Sequence, residues 1–227
     1  MTAGADTVPP APPPLGRRVW RTVVSPGAMF RELGSSAPWA DALALVLLLG
    51  VLLALLSPAA PLIREAEAAA AAAGVELTSD PATIVRYGRY LNAMGSLAAV
   101  PLSAFGLAGV LYLLFSAGRE SRPGYRQQLC VTAHALLIPA LGAGLTLALG
   151  LLLEDPGFSF SPAWLAATPD GPLARLLAAV NPFWLWAAAV AGVGVGEMGG
   201  ARSRTFAAGV LVALYLGFAA GLAALTG

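Results

Sequence analysis

"LNAMGSLAAVPLSAFGLAGVLYLLFSA", Leu91–Ala117, contains no charged residue. A helix needs ~20 consecutive apolar residues to cross a bilayer, and this stretch exceeds that length. It alternates at neither the strand period nor the one-sided helical period, so its natural solvent is lipid on several faces. The rest of the chain repeats the pattern. Of 227 residues, 58% are hydrophobic and only 11% charged, against ~25% charged in soluble domains. A net charge of +1 argues against a nucleic-acid partner.

Working outward, apolar blocks predict five spans near residues 39–57, 88–117, 127–153, 178–197 and 204–226. The fold class expected is an all-α polytopic membrane bundle. The fourth span opens at Asn181-Pro182 and can borrow apolar residues from Leu173 onward. Residues 1–15, rich in proline, read as a disordered cytoplasmic tail, and 16–227 as one membrane domain. Between them "GRRVWRTVVSPGAMFREL", Gly16–Leu33, mixes arginine with tryptophan and valine. It predicts a short amphipathic juxtamembrane helix lying on the bilayer surface, with Ser25 as N-cap and Pro26 at its first position.

Arginine placement sets the expected orientation. Arg17, Arg18, Arg21, Arg31, Arg119, Arg122, Arg126, Arg202 and Arg204 fall on one side of a five-span chain; Arg64, Arg86, Arg89 and Arg175 fall on the other. The positive-inside rule then places the N-terminus in the cytoplasm and the C-terminus outside a cell membrane. On the opposite side, "EAEAAAAAAG", Glu65–Gly74, predicts a surface helix ended by Gly74, and "TSDP", Thr78–Pro81, opens the helix of the second span.

Few residues carry chemistry. All 13 basic residues are arginine, which removes the P-loop lysine and Schiff-base catalysis. The only cysteine, Cys130, and the only histidine, His134, share one face of the third span in "QLCVTAHALLIP", Gln128–Pro139. A zinc site needs three or four ligands, and no carboxylate falls within Ala42–Leu56, Leu91–Ala117, Leu129–Leu153 or Phe206–Leu225, so neither metal nor cofactor is expected. A thiolate is disfavoured in hydrocarbon. Cys130 reads as a small packing residue, and neutral His134 as a polar tip bonded to a neighbouring helix. Asn92 and Asn181 complete the candidate intramembrane polar residues. "GVGEMG", Gly194–Gly199, matches a dinucleotide fingerprint but ends a membrane span rather than joining strand to helix. In the fifth span Gly209, Ala213, Gly217 and Gly221 recur every four residues and predict a helix-packing stripe.

The order of motifs resembles the Yip1-domain membrane proteins. "VVSPGAMFREL" is similar to the family's segment before its first span, "YRQQLCVTAHALLIPALGAG" to its third span, and "NPFWLWAAAVAGVGVGEMGGARSRTFAAGVL" to its Phe-x-x-Trp fourth span, glycine-rich turn and fifth span. The matching positions are Pro26, Phe30, Tyr125, Arg126, Pro139, Phe183 and Trp186. His134 stands where an aromatic such as tyrosine is expected. The resemblance implies a five-span integral membrane protein without established enzymatic chemistry, its eukaryotic members being associated with vesicle traffic and prenylated small GTPases. The composition points to a bacterial inner membrane. The reading is a non-enzymatic scaffold or adaptor whose partners are the lipid bilayer and another protein or a second copy. The alternative is a small-solute or ion transporter, with a cavity lined by helices broken at Pro101, Pro139 and Asn181-Pro182.

Overall fold

The computed structural model describes residues 11–34, 36–117, 123–166, 168, 171–199 and 203–225. The tail Met1–Pro10 and three members of the arginine bias, Arg119, Arg122 and Arg202, lie outside these. The described chain is an all-α membrane bundle without strands. In order come α1 (Leu15–Val24), α2 (Pro26–Leu33), α3 (Ala40–Leu55), α4 (Ala59–Ala72), α5 (Pro81–Phe115), α6 (Tyr125–Ala135), α7 (Leu137–Leu152), α8 (Pro172–Ala179), α9 (Pro182–Glu197) and α10 (Arg204–Leu225).

Three stretches are long and apolar enough to cross a membrane as they stand: α5, the run α6–α7, and α10. Two more qualify as bent pairs, α3 with α4 at 78° and α8 with α9 at 56°. The bends have local causes. α3 stops at Ser57-Pro58, where Arg89 donates twice to the Ser57 carbonyl, at 3.0 and 2.8 Å. The alanine-rich α4 then leaves at a steep angle and ends before Gly74, whose φ of +68° suits glycine. Asp80 caps α5 by accepting from Thr83 N, with Pro81 at the first position. Asn181 accepts from the amides of Phe183 and Trp184. The helix therefore breaks at Asn181, between Pro172–Ala179 and Pro182–Glu197, which meet at 56°.

The third span is one continuous run whose helix breaks at Leu136. Pro139 has no amide proton to give the Ala135 carbonyl, and its ring crowds that group. α6 is buried on every side from Gln128 onward. α2, α5, α9 and α10 pack around one flank in a core built on Phe30, Phe115, Val131 and Val190. α3 and α5 cover the other through Val46, Ala104 and Ala108, with Leu137 of α7 beside them.

The short helix opened by Ser25-Pro26 is present as α2; a further helix, α1, precedes it and docks on the bundle. The buried side of α1 carries Arg18, only 2% exposed. The boundary at residue 15 also moves, because Leu15 starts α1 and packs on the core. Pro13 and Pro14 are held too, their carbonyls accepting from Arg18 Nε and Arg18 N.

In the fifth span the row of small residues meets no other helix of the described chain. Gly209, Ala213, Gly217 and Gly221 face away from the chain's other helices. A Cβ added at any of the three glycines meets nothing within 4 Å. α10 instead turns Ala207, Leu211 and Ala219 inward, and the glycines that bring it close to its neighbour lie on α9. A Cβ on Gly192 would collide with the backbone of Ala208, and one on Gly196 with the backbone of Arg204. A Cβ on Gly194 would stand 2.8 Å from Phe30 Cε2 and 2.9 Å from Val131 Cγ1. The fingerprint-like "GVGEMG" thus overlaps a packing surface. Gly217→Leu should leave the melting temperature of the detergent-solubilised chain unchanged; a clear drop in a thermal scan would show that the stripe is covered.

Candidate functional site

The four candidate polar residues separate into two places. Cys130 and His134 meet in a buried node with two residues that sequence reasoning missed, Arg18 and Asp41. Arg18 comes from α1 and Asp41 from the first turn of α3, where the positive helix end favours a carboxylate. One guanidinium nitrogen of Arg18 donates to Asp41 Oδ1 at 3.2 Å, to His134 Nε2 at 3.1 Å and to the Pro38 carbonyl at 3.4 Å. The other pairs with Asp41 Oδ2. Thr22 Oγ1 donates to the Arg18 carbonyl at 2.8 Å.

This geometry fixes the histidine tautomer. His134 Nδ1 lies 2.8 Å from the Cys130 carbonyl, which can only accept, so Nδ1 carries the proton. Nε2 then offers its lone pair to Arg18. The thiol of Cys130 donates to the Pro38 carbonyl at 3.3 Å. Although the sulfur is 3.7 Å from Nδ1, neither group is placed to take the other's proton. The pair is not arranged as nucleophile and base; it anchors α6 to α1 and to the turn before α3. The edge of Phe30 completes the packing, its ring 6.2 Å from that of His134. Among the described residues no three of His, Cys, Asp and Glu lie close enough to hold a metal ion.

A second ion-paired point lies on the α2 side of the bundle. Glu197, at the end of α9, accepts from Arg31 at 2.7 Å and Arg204 at 3.1 Å. It joins α2, α9 and α10. Asp41 and Glu197 both sit at helix ends, each matched to arginine. For Glu197 the signal was Arg202 and Arg204 a few residues on; Asp41 has no arginine near it in sequence.

Asn92 and Asn181 lie elsewhere. They line a groove of about 680 Å³ between α3, α5, α7 and α9. Ser57, Asn92, Asp155 and Asn181 stand toward its α4 end, and Val46, Leu136 and Pro139 toward the bundle centre. Pro139 lines it as the transporter alternative expects; Pro101 does not.

The family positions mostly make contacts inside the chain. Pro26 opens α2. Phe30 is fully buried, and Tyr125 donates to the Phe105 carbonyl at 2.8 Å. Arg126 donates to the Ser36 carbonyl at 3.1 Å. Phe183 packs edge-on against Phe160 and fills the space over Gly142. Trp186 is more open, at 39% exposure. Residues 20–225 match the family description "Yip1 domain". The chain belongs to the Yip1 family. No curated protein and no solved structure matches it. The Yip1 match spans every helix from α2 to α10, and Arg18 lies two residues upstream of its start. The guanidinium that binds His134 thus reaches the Yip1 domain from a segment outside the match.

Proposed function

We propose that the chain is a non-enzymatic membrane scaffold or adaptor whose N-terminal helices form the face offered to a protein partner. The observation that carries this reading is the anchoring of α1. Its inner face is held by Arg18, which bonds Pro38, Asp41 and His134, with Thr22 buried beside it, while Trp20, 66% exposed, and Val24, 52% exposed, project outward. A rigidly seated helix with a large aromatic on its free face suits recognition better than a loose linker, since ordering losses on binding are already met. A photo-crosslinking residue at Trp20 should give a discrete protein adduct in native membranes, and one at Leu216 on α10 should give none. Identical patterns at both positions overturn the reading.

The groove supports the second reading, passage of a small solute, because it combines apolar walls with a few polar groups as ligand sites do. Flux in proteoliposomes that stops on Asn92→Leu would favour it over the scaffold.

The orientation we infer is N-terminus in the cytoplasm and C-terminus outside a cell membrane, supported by the excess of arginine on the α1–α2 side. A cytoplasm-dependent reporter fused after Gly227 should be inactive, and one inserted between Gly118 and Pro123 active. The reverse pattern overturns the orientation.

A further inference from the structure

We propose that the groove between α4 and α5 binds the headgroup of an anionic phospholipid. The groove encloses about 620 Å³ and is lined by Leu55, Ile63 and Val85 on its apolar wall and by Arg86, Arg89 and Tyr90 on its polar side. Arg86 and Arg89 are three residues apart, which places them side by side on α5. No carboxylate lines the groove, and among the described residues neither arginine forms an ion pair. Arg89 is held by its two bonds to the Ser57 carbonyl, so its remaining donors are set in place. The Arg86 guanidinium rests 5.5 Å from the centre of the Tyr87 ring.

Two cations without acidic partners call for an anion, and guanidinium groups match phosphate oxygens in shape as well as charge. The depth of the site selects a lipid as its source. Tyr87 and Tyr90 are both more than half exposed, and such aromatics settle at headgroup level. α4 leaves α3 at 78°, a course that suits a helix at the headgroup level beside the end of α3. The apolar wall continues from the arginines toward the end of α3, where an acyl chain can follow. Asp80 caps α5 nearby, but its carboxylate is engaged by Thr83 and lies outside the groove lining.

The test uses the full chain in neutral detergent, titrated with phosphatidylglycerol, with phosphatidylcholine of the same acyl chains, or with inorganic phosphate. Native mass spectrometry reads lipid retention and a thermal scan reads folding. Arg86→Gln keeps the Arg89 bonds and should weaken phosphatidylglycerol retention about five-fold, the worth of one arginine near a charged lipid surface. Arg86→Lys should lose less. Arg64→Gln, on α4 outside the groove lining, should change nothing. Equal retention of the two lipids, an unchanged Arg86→Gln, or an equal loss in Arg64→Gln overturns the proposal. Inorganic phosphate matching phosphatidylglycerol in stabilisation also overturns it, by identifying a soluble-anion site. If Arg86→Gln fails to fold without lipid, Arg86→Lys decides: preference for phosphatidylglycerol supports the site, and its absence overturns it.

Discussion

Asp41→Ala should destabilise the chain more than Arg18→Met, and the double variant should recover most of the loss. Arg18 is buried and Asp41 is half exposed, so the two deletions leave different residues behind. Without Asp41 a guanidinium remains inside the protein with only carbonyls and His134 to face, a situation that costs ~3–5 kcal/mol when a buried pair is broken. Without Arg18 the carboxylate is partly hydrated and screened, and the main loss is unpaired acceptors at Pro13 and His134, about 1–3 kcal/mol. Removing both charges restores a neutral core, which is often close to the wild type in stability. Thermal unfolding of the four proteins in detergent completes the cycle. Strictly additive losses would mean that Arg18 and Asp41 do not act as a pair.

The second large effect is expected at Gly192. Even Gly192→Ala places a methyl group against the Ala208 backbone, and a main chain cannot swing aside as a side chain can. Overpacking of this kind costs ~1–3 kcal/mol where neighbours can relax, and Gly192→Leu should exceed that range. Lipid supplies no hydrophobic drive to hold the separated helices together. Gly192→Ala and Gly196→Ala should both lower the melting temperature clearly, with Gly217→Ala as the neutral comparison. A stable Gly192→Leu protein would mean that α9 and α10 are farther apart than described.

The contrast between Gly192 and Gly217 shows what the sequence carries and what it does not. Apolar runs announced the membrane-crossing segments, because length and lack of charge are sufficient signals. Asp80-Pro81, Asn181-Pro182 and Gly74 announced helix ends through local chemistry. The rotation of a helix about its own axis was not legible. In a soluble helix the polar face marks the outside, but lipid and protein interior are equally apolar, so Gly209, Ala213, Gly217 and Gly221 looked as inward as Gly192 and Gly196. In the node, His134 was visible as the lone histidine of an apolar span. Its partner was hidden by distance along the chain: Arg18 is 116 residues away and looked like one more surface arginine.

That separation also imposes an order of events during synthesis. Arg18 and Asp41 are only 23 residues apart, so the charge can be neutralised as soon as α3 leaves the ribosome. His134 follows roughly 6–23 s after Arg18 at ~5–20 residues per second. Through that interval Arg18 has only Asp41 and nearby carbonyls such as that of Pro38 to hold it, and the arrival of α6 supplies His134 and the apolar walls around it. The N-terminal helices are therefore made first and seated last, and a nascent chain halted before the third span would still have them free to be captured.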